Sequence, residues 1–133
     1  RTAGEANLHW AAGGRLVFLA DLDGWPHLYS IGTSGGSPLL LTPGAFMVEY
    51  VAMTPDHNTL IFDANTGPDR NDNDRRHVFT VPADRATPTA LTTGVGLEWM
   101  PFVTGAGAWV GMMSAGAKRP PVPLFQTQTF GGT

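Results

Sequence analysis

The chain has 133 residues, of which 14% are charged, with a net charge of -3 and no cysteine. That is the length of one domain; it carries no basic stripe to neutralise phosphates, which argues against nucleic acid as a partner, and the absent thiols exclude disulfides and thiolate zinc sites while leaving the compartment open. No apolar run approaches the roughly 18 residues of a membrane helix, so no membrane partner is expected, and the N-terminus lacks the basic-then-apolar layout of a signal peptide; beginning at Arg1 rather than methionine suggests a processed or excised piece.

Seventeen glycines and eleven prolines, with almost no helical periodicity, predict an all-β chain of short strands separated by turns. The first two strands are expected at Arg15 to Ala20 and His27 to Ile31, with the plain turn Asp21-Leu22-Asp23-Gly24 between them. Next comes Gly32-Thr33-Ser34-Gly35-Gly36, which satisfies the G-x-S-x-G pattern of a hydrolase nucleophile. That elbow needs a buried strand before the serine and a helix after it. Here the segment that follows, Pro38 to Thr42, reads as a short third strand, too short for a helix and opened by proline, so the glycines read as a hairpin loop and Ser34 as a turn residue.

Further strands are expected at Val48 to Met53, Thr59 to Ala64, His77 to Val81, Pro88 to Thr92, Leu97 to Val103 and Ala108 to Met113. In the loop Asn65 to Arg76, the run Asp69-Arg70-Asn71-Asp72-Asn73-Asp74 alternates oxygen side chains as a calcium loop does, but position six is Asp74 rather than glycine and position twelve is Thr80 rather than glutamate, which makes it a solvated loop. The tail Lys118 to Pro123 reads as an extended connection into a strand at Val122 to Gln126.

The chain repeats itself. A shift of 50 carries His27-Leu28-Tyr29-Ser30-Ile31 onto His77-Val78-Phe79-Thr80-Val81, Pro38 onto Pro88, Leu41-Thr42 onto Leu91-Thr92 and Gly44 onto Gly94. Upstream, a shift of 44 carries Leu16-Val17-Phe18 onto Leu60-Ile61-Phe62 and Glu5 onto Glu49, the difference of six falling in the loop Asn65 to Arg76. A period of 44 to 50 residues with four short strands is that of a β-propeller blade. The expected architecture is a partial β-propeller of two to three four-stranded antiparallel blades over residues 1–133, with one blade from Thr2 to Gly44, one from Ala45 to Gly94 and an incomplete one from Val95 onward. A β-sandwich with internal duplication is the alternative fold. Two uncovered blade flanks imply self-association.

Thr54-Pro55-Asp56-His57-Asn58-Thr59-Leu60-Ile61-Phe62 resembles the turn and strand SPDG-x-x-[IL]-x-F of propeller repeats in the Tol-system and prolyl oligopeptidase groups. DGWPHLYS, LLLTPGAFMVEYVAMTPD, FDANTGPDRNDNDRRHVFTVP and ALTTGVGLEWMPFV together resemble the N-terminal propeller of bacterial serine peptidases of the prolyl oligopeptidase family, in the dipeptidyl peptidase IV branch. The resemblance implies a non-catalytic segment that limits substrate access and docks the hydrolase domain of the same parent chain, whose peptide substrates are cleaved there. It implies no cofactor, and a periplasmic or secreted location in preference to a cytoplasmic one. The family's serine, aspartate and histidine lie in a hydrolase domain that no part of this chain matches, so no catalytic residue is assigned. The branch's paired glutamates have no counterpart either, since the glutamates here are the isolated Glu5, Glu49 and Glu98. The rival reading is a free-standing propeller module that binds a protein or ligand.

Two sets of repeated polar residues remain. His27 and His77 share one place in the repeat and no histidine pair has ligand spacing, which points to structural positions rather than zinc or catalysis. Glu5 and Glu49 coincide under the 44-residue shift and Glu98 stands one residue short of the 50-residue shift, as a single deletion or bulge would produce. All three open the first strand of a blade, the innermost in a propeller, so they are candidate channel-lining residues that form either an acidic collar or a set of strand-edge charges. Trp25, Tyr29, Phe79, Trp99 and Trp109 are expected to pack between blades.

Overall fold

The continuous apolar run Leu60-Ile61-Phe62 is buried on both faces, and so is the alternating stretch His27 to Ser30. The computed structural model describes residues 7–67, 74–128 and 130, and among these it holds eleven β-strands and no helix. β1 (Leu8–Ala11), β2 (Arg15–Asp21), β3 (Pro26–Gly32) and β4 (Leu39–Leu40) form a first antiparallel sheet in that order. β5 (Val48–Met53), β6 (Thr59–Ala64), β7 (His77–Pro82) and β8 (Thr89–Ala90) form a second, and β9 (Leu97–Val103), β10 (Trp109–Gly116) and β11 (Arg119–Thr127) a third.

The sheets stack face to face. On β6, Leu60 and Phe62 turn toward the first sheet, where they meet Val17, Leu28 and Leu41. Ile61 turns the other way and packs with Val78, Val110 and Met112 against the third sheet. Burial on both sides is why Leu60 to Phe62 is apolar without a break. β1, β9 and β11 each have an open face and alternate accordingly. Three consecutive meanders packed in series are blades of a partial propeller, and the two-layer sandwich is excluded.

The turn that opens each second strand is built the same way three times. The residue two positions before β2, β6 and β10 is Gly13, His57 or Gly107, with φ of 71°, 60° and 71°. Only glycine takes that conformation without side-chain crowding, so the histidine is the exception and is strained unless it is held. It is held: the His57 ring Nδ1 donates to the Trp10 carbonyl at 2.6 Å, and the His57 carbonyl accepts from the Ala12 N–H at 2.8 Å. Both bonds tie the second sheet's turn to β1 of the first. Asp56 closes the same turn by accepting from the Thr54 hydroxyl at 2.6 Å and the Asn58 N–H at 3.0 Å, and these donors hold its carboxyl below the usual range.

The repeated Leu-Thr pair ends each of the first two sheets. Leu41 and Leu91 donate their N–H groups to the Leu28 and Val78 carbonyls at 2.8 Å. Thr42 and Thr92 then accept, on their buried hydroxyls, the N–H groups of those same residues at 3.0 and 2.9 Å. Side-chain capping replaces ladder pairing here, so the fourth strands are two residues long where the sequence suggested five.

Three further expectations are corrected. β1 has no counterpart among the expected strands; it is four residues long and sits before a double glycine, which hid its alternation. The tail is no connection: Arg119 to Thr127 turns back at Ala117-Lys118 and pairs along the whole of β10. Trp25 and Trp109, expected inside, stand 37% and 45% exposed, whereas Tyr29 and Phe79 do pack, Tyr29 against Phe18 and Phe79 stacked on Phe62.

Candidate functional site

Ser34 stands exposed just past the end of β3, in a turn closed by a bond from the Gly35 N–H to the Gly32 carbonyl at 2.9 Å. Gly35 and Gly36 carry the positive φ values of a hairpin and the chain then enters β4, not a helix. A serine in that setting has neither the lifted hydroxyl nor the helix N-terminus of a nucleophile elbow. Of the calcium-like run, Asp69 to Asn73 lie outside the described residues; among the described residues no group of three acidic, histidine or cysteine side chains is placed to hold a metal.

The three glutamates do not act as a set. Glu5 lies outside the described residues. Glu49 grips the Arg76 guanidinium through both oxygens, at 2.7 and 2.9 Å, on the wall of a crevice of about 620 Å³ between the first and second sheets, whose other lining includes Asn7, Pro26, Met47 and Tyr50. Glu98 is 8% exposed and meets the buried His77 ring at 3.0 Å. Their assumed equivalence fails in the ladder. Val48 faces Ala64 and Glu98 faces Ser114, and these two partners are related by the 50-residue shift, so Glu98 holds the place of Val48 rather than that of Glu49. The same bulge occurs in β5 and β9, so no deletion offsets one from the other. One carboxylate therefore faces a crevice and the other is turned into a joint between sheets, where a free acidic collar is not available to either.

The histidines at the repeated position are both buried, yet they choose different partners. His27 Nδ1 meets both oxygens of Asp23 at 3.0 and 3.1 Å within its own hairpin, with its ring edge-on to Phe46. His77 reaches across to β9 for Glu98. Each buries its Nε2 without a hydrogen-bond partner among the described residues.

The feature that sequence reasoning missed is Asp63. It is fully buried at the fifth position of β6. Its Oδ1 accepts the Tyr50 N–H of β5 at 2.7 Å and its Oδ2 the Met100 N–H of β9 at 3.1 Å. Burial, the largest influence, raises its carboxyl to about 6, against the lowering effect of those two N–H donors and with a further upward push from nearby Glu49. The fifth positions of β2 and β10 are Leu19 and Met113, so the fold itself asks for an apolar residue there. That one acid against two hydrophobes in the aligned repeat is the signal that could have exposed it.

With this geometry described, comparison with known proteins decides the family. Residues 5–110 match the model of the dipeptidyl peptidase IV (DPP IV) N-terminal region. The chain belongs to that family. Over 71 residues it is 32% identical to "Probable dipeptidyl peptidase 4" of Emericella nidulans, a stretch that spans 53% of this chain and 9% of that protein. The crystal structure of Porphyromonas gingivalis dipeptidyl peptidase 4 superposes with a TM-score of 0.70 at 21% identity, over 91% of this chain and 16% of that one. TolB from Acinetobacter baumannii gives 0.65 at 15% identity, over 92% and 29%. The structural likenesses establish the propeller fold. The chain thus corresponds to a small part of the DPP IV N-terminal-region proteins it matches.

Proposed function

We propose that this DPP IV N-terminal-region chain is a non-catalytic propeller segment of a serine-type peptidase, which limits the access of peptide substrates and docks the hydrolase domain of its parent chain. The observation that carries the reading is the match of residues 5–110 to the N-terminal region of such peptidases, in a chain whose G-x-S-x-G lies on an exposed hairpin. A propeller contributes to peptidase chemistry without a reacting group by excluding large substrates sterically and by holding its neighbour at a fixed distance. A fluorophosphonate probe tests the first half: the purified chain stays unlabelled, while the parent polypeptide is labelled outside residues 1–133. Stoichiometric labelling of Ser34 would overturn it. For the second half, a parent enzyme in which this segment is loosened should begin to cleave folded proteins as well as short peptides; an unchanged size cut-off contradicts the access role.

A further inference from the structure

The two joints between sheets are made differently. The joint between the first and second sheets is an apolar cluster of nine buried residues, clasped at one end by His57. The joint between the second and third has four buried apolar residues, with Leu91, Val103, Leu124 and Phe130 packed against them, and adds polar links: the pair His77 and Glu98, the Glu98 N–H on the Arg76 carbonyl at 2.8 Å, and Asp63 on Met100. Asp63 spans two bulges. Met100 sits where β9 slips register against β10, with a left-handed φ of 53°, so its N–H has left the ladder and depends on the carboxylate. Tyr50 occupies the corresponding bulge of β5.

We propose that Asp63 is a proton-operated latch between the second and third sheets, holding the β9 bulge through the Met100 N–H when ionised and releasing that N–H when protonated. The step is a proton transfer from solvent to one carboxylate oxygen. An ionised carboxylate accepts on both oxygens, whereas the protonated group carries an O–H that confronts one of the two N–H donors, so one bond is lost. The bond to Met100, at 3.1 Å, yields before the 2.7 Å bond to Tyr50, which lies within the same sheet. The charged or titratable groups around Asp63 are Glu49 on β5, Arg76 and His77 at the head of β7, and Glu98 on β9. Glu49 disfavours a second negative charge nearby, and Arg76 is already engaged by Glu49. Protonation needs no ligand and loosens a bulge on an innermost strand while the apolar joint to the first sheet stays closed.

The test is a titration of the whole chain by NMR between pH 4.5 and 8, following the Asp63 side-chain carboxyl carbon and the Met100 and Tyr50 amides. The carboxyl carbon and the Met100 amide are expected to move together with one midpoint close to 6, Tyr50 moving less. Asp63→Asn, which is neutral at every pH, should give a Met100 amide without that step; Asp63→Leu, which installs the residue of the first sheet, should do the same. Glu49→Gln should lower the midpoint while leaving carboxyl carbon and amide coupled. An Asp63 carbon that titrates in the ordinary carboxylate range near 4, or a Met100 amide flat across the interval, overturns the proposal. So does a Met100 step that survives in Asp63→Asn, because Asp63 would then not be its source. The wild-type titration is decisive even where a variant fails to fold.

Discussion

Single residues in this chain depart from the repeat where they hold neighbouring sheets together. Asp63 is the costlier departure, because its charge is buried. Its carboxyl is raised from 3.8 to about 6, so the folded chain binds a proton that the unfolded chain lacks at the same pH. This group's contribution is therefore complete below about 4 and is lost as pH rises through 6, about 3 kcal/mol in all. Denaturant melts from pH 5 to 8 should show wild-type stability declining relative to Asp63→Leu; parallel curves would contradict the assignment. At His57 the backbone and the ring oppose each other. His57→Gly should relieve the left-handed strain while removing the clasp on Trp10, whereas His57→Ala keeps the strain and also loses the bond. The alanine variant is expected to be the less stable of the two by about 1 kcal/mol; the reverse order would mean that the left-handed backbone at position 57 carries no such strain.

At the scale of the strand, hydroxyl caps and edge chemistry decide where pairing stops. Thr92 satisfies the buried Val78 N–H, so Thr92→Val, which keeps the shape and removes the acceptor, should cost roughly 1–3 kcal/mol and accelerate exchange of the Val78 amide. Unchanged exchange would show that the cap is dispensable. β11 is treated differently. The Gln128 N–H points inward to the Ala108 carbonyl, so the odd-numbered residues of the in-register stretch Val122 to Thr127 turn their N–H groups outward, and one of those positions is Pro123. Pro123 stands in the ladder place of Val78 and has no N–H for a threonine to cap. Proline at outward positions is how an exposed edge is kept from recruiting another strand. Gly111 on β10 serves a related purpose: a Cβ there would lie within 2.1 Å of the Phe102 ring, which covers the glycine where Ile61 provides the bulk in the second sheet. Gly111→Ala should therefore be destabilised, with near-recovery in Gly111→Ala/Phe102→Ala; an additive double variant would show that the ring does not rest on the glycine.

For the whole molecule, the outer faces of the first and third sheets matter more than the edges. Trp10 stands 66% exposed at one end, and Phe102 and Phe125 stand 48% and 53% exposed at the other, their rings edge-to-face. Faces of this kind elsewhere in the chain are covered by the next sheet, so the isolated chain should associate through them. Sedimentation should show a weight-average mass that rises with concentration, and Phe125→Lys should suppress that rise. Pro123→Val, which restores an outward N–H, should increase association. A concentration-independent monomer would contradict the face argument, and an unchanged Pro123→Val would show that the edge is closed by something other than proline.

The repeat, the strand-rich composition and the turn chemistry were legible from residue order alone, because each depends on neighbours within one hairpin: Leu60-Ile61-Phe62, Leu41-Thr42 and Leu91-Thr92, and the hairpin around Ser34. Membership of the propeller family was legible on the same grounds. What residue order could not supply is which repeat positions are equivalent once strands bulge, and that is why Glu98 aligned with Glu49 on paper and with Val48 in the ladder. Nor could it reveal that Asp63 reaches β5 and β9, that His57 clasps β1, or that His27 and His77 take partners from different sheets. Apart from the local pair His27 and Asp23, those pairings join residues up to 47 positions apart, most of them across stacked sheets. The partners meet only after the sheets have packed, and at Asp63 and His77 burial then strengthens the contact, so the tertiary structure alone decided them.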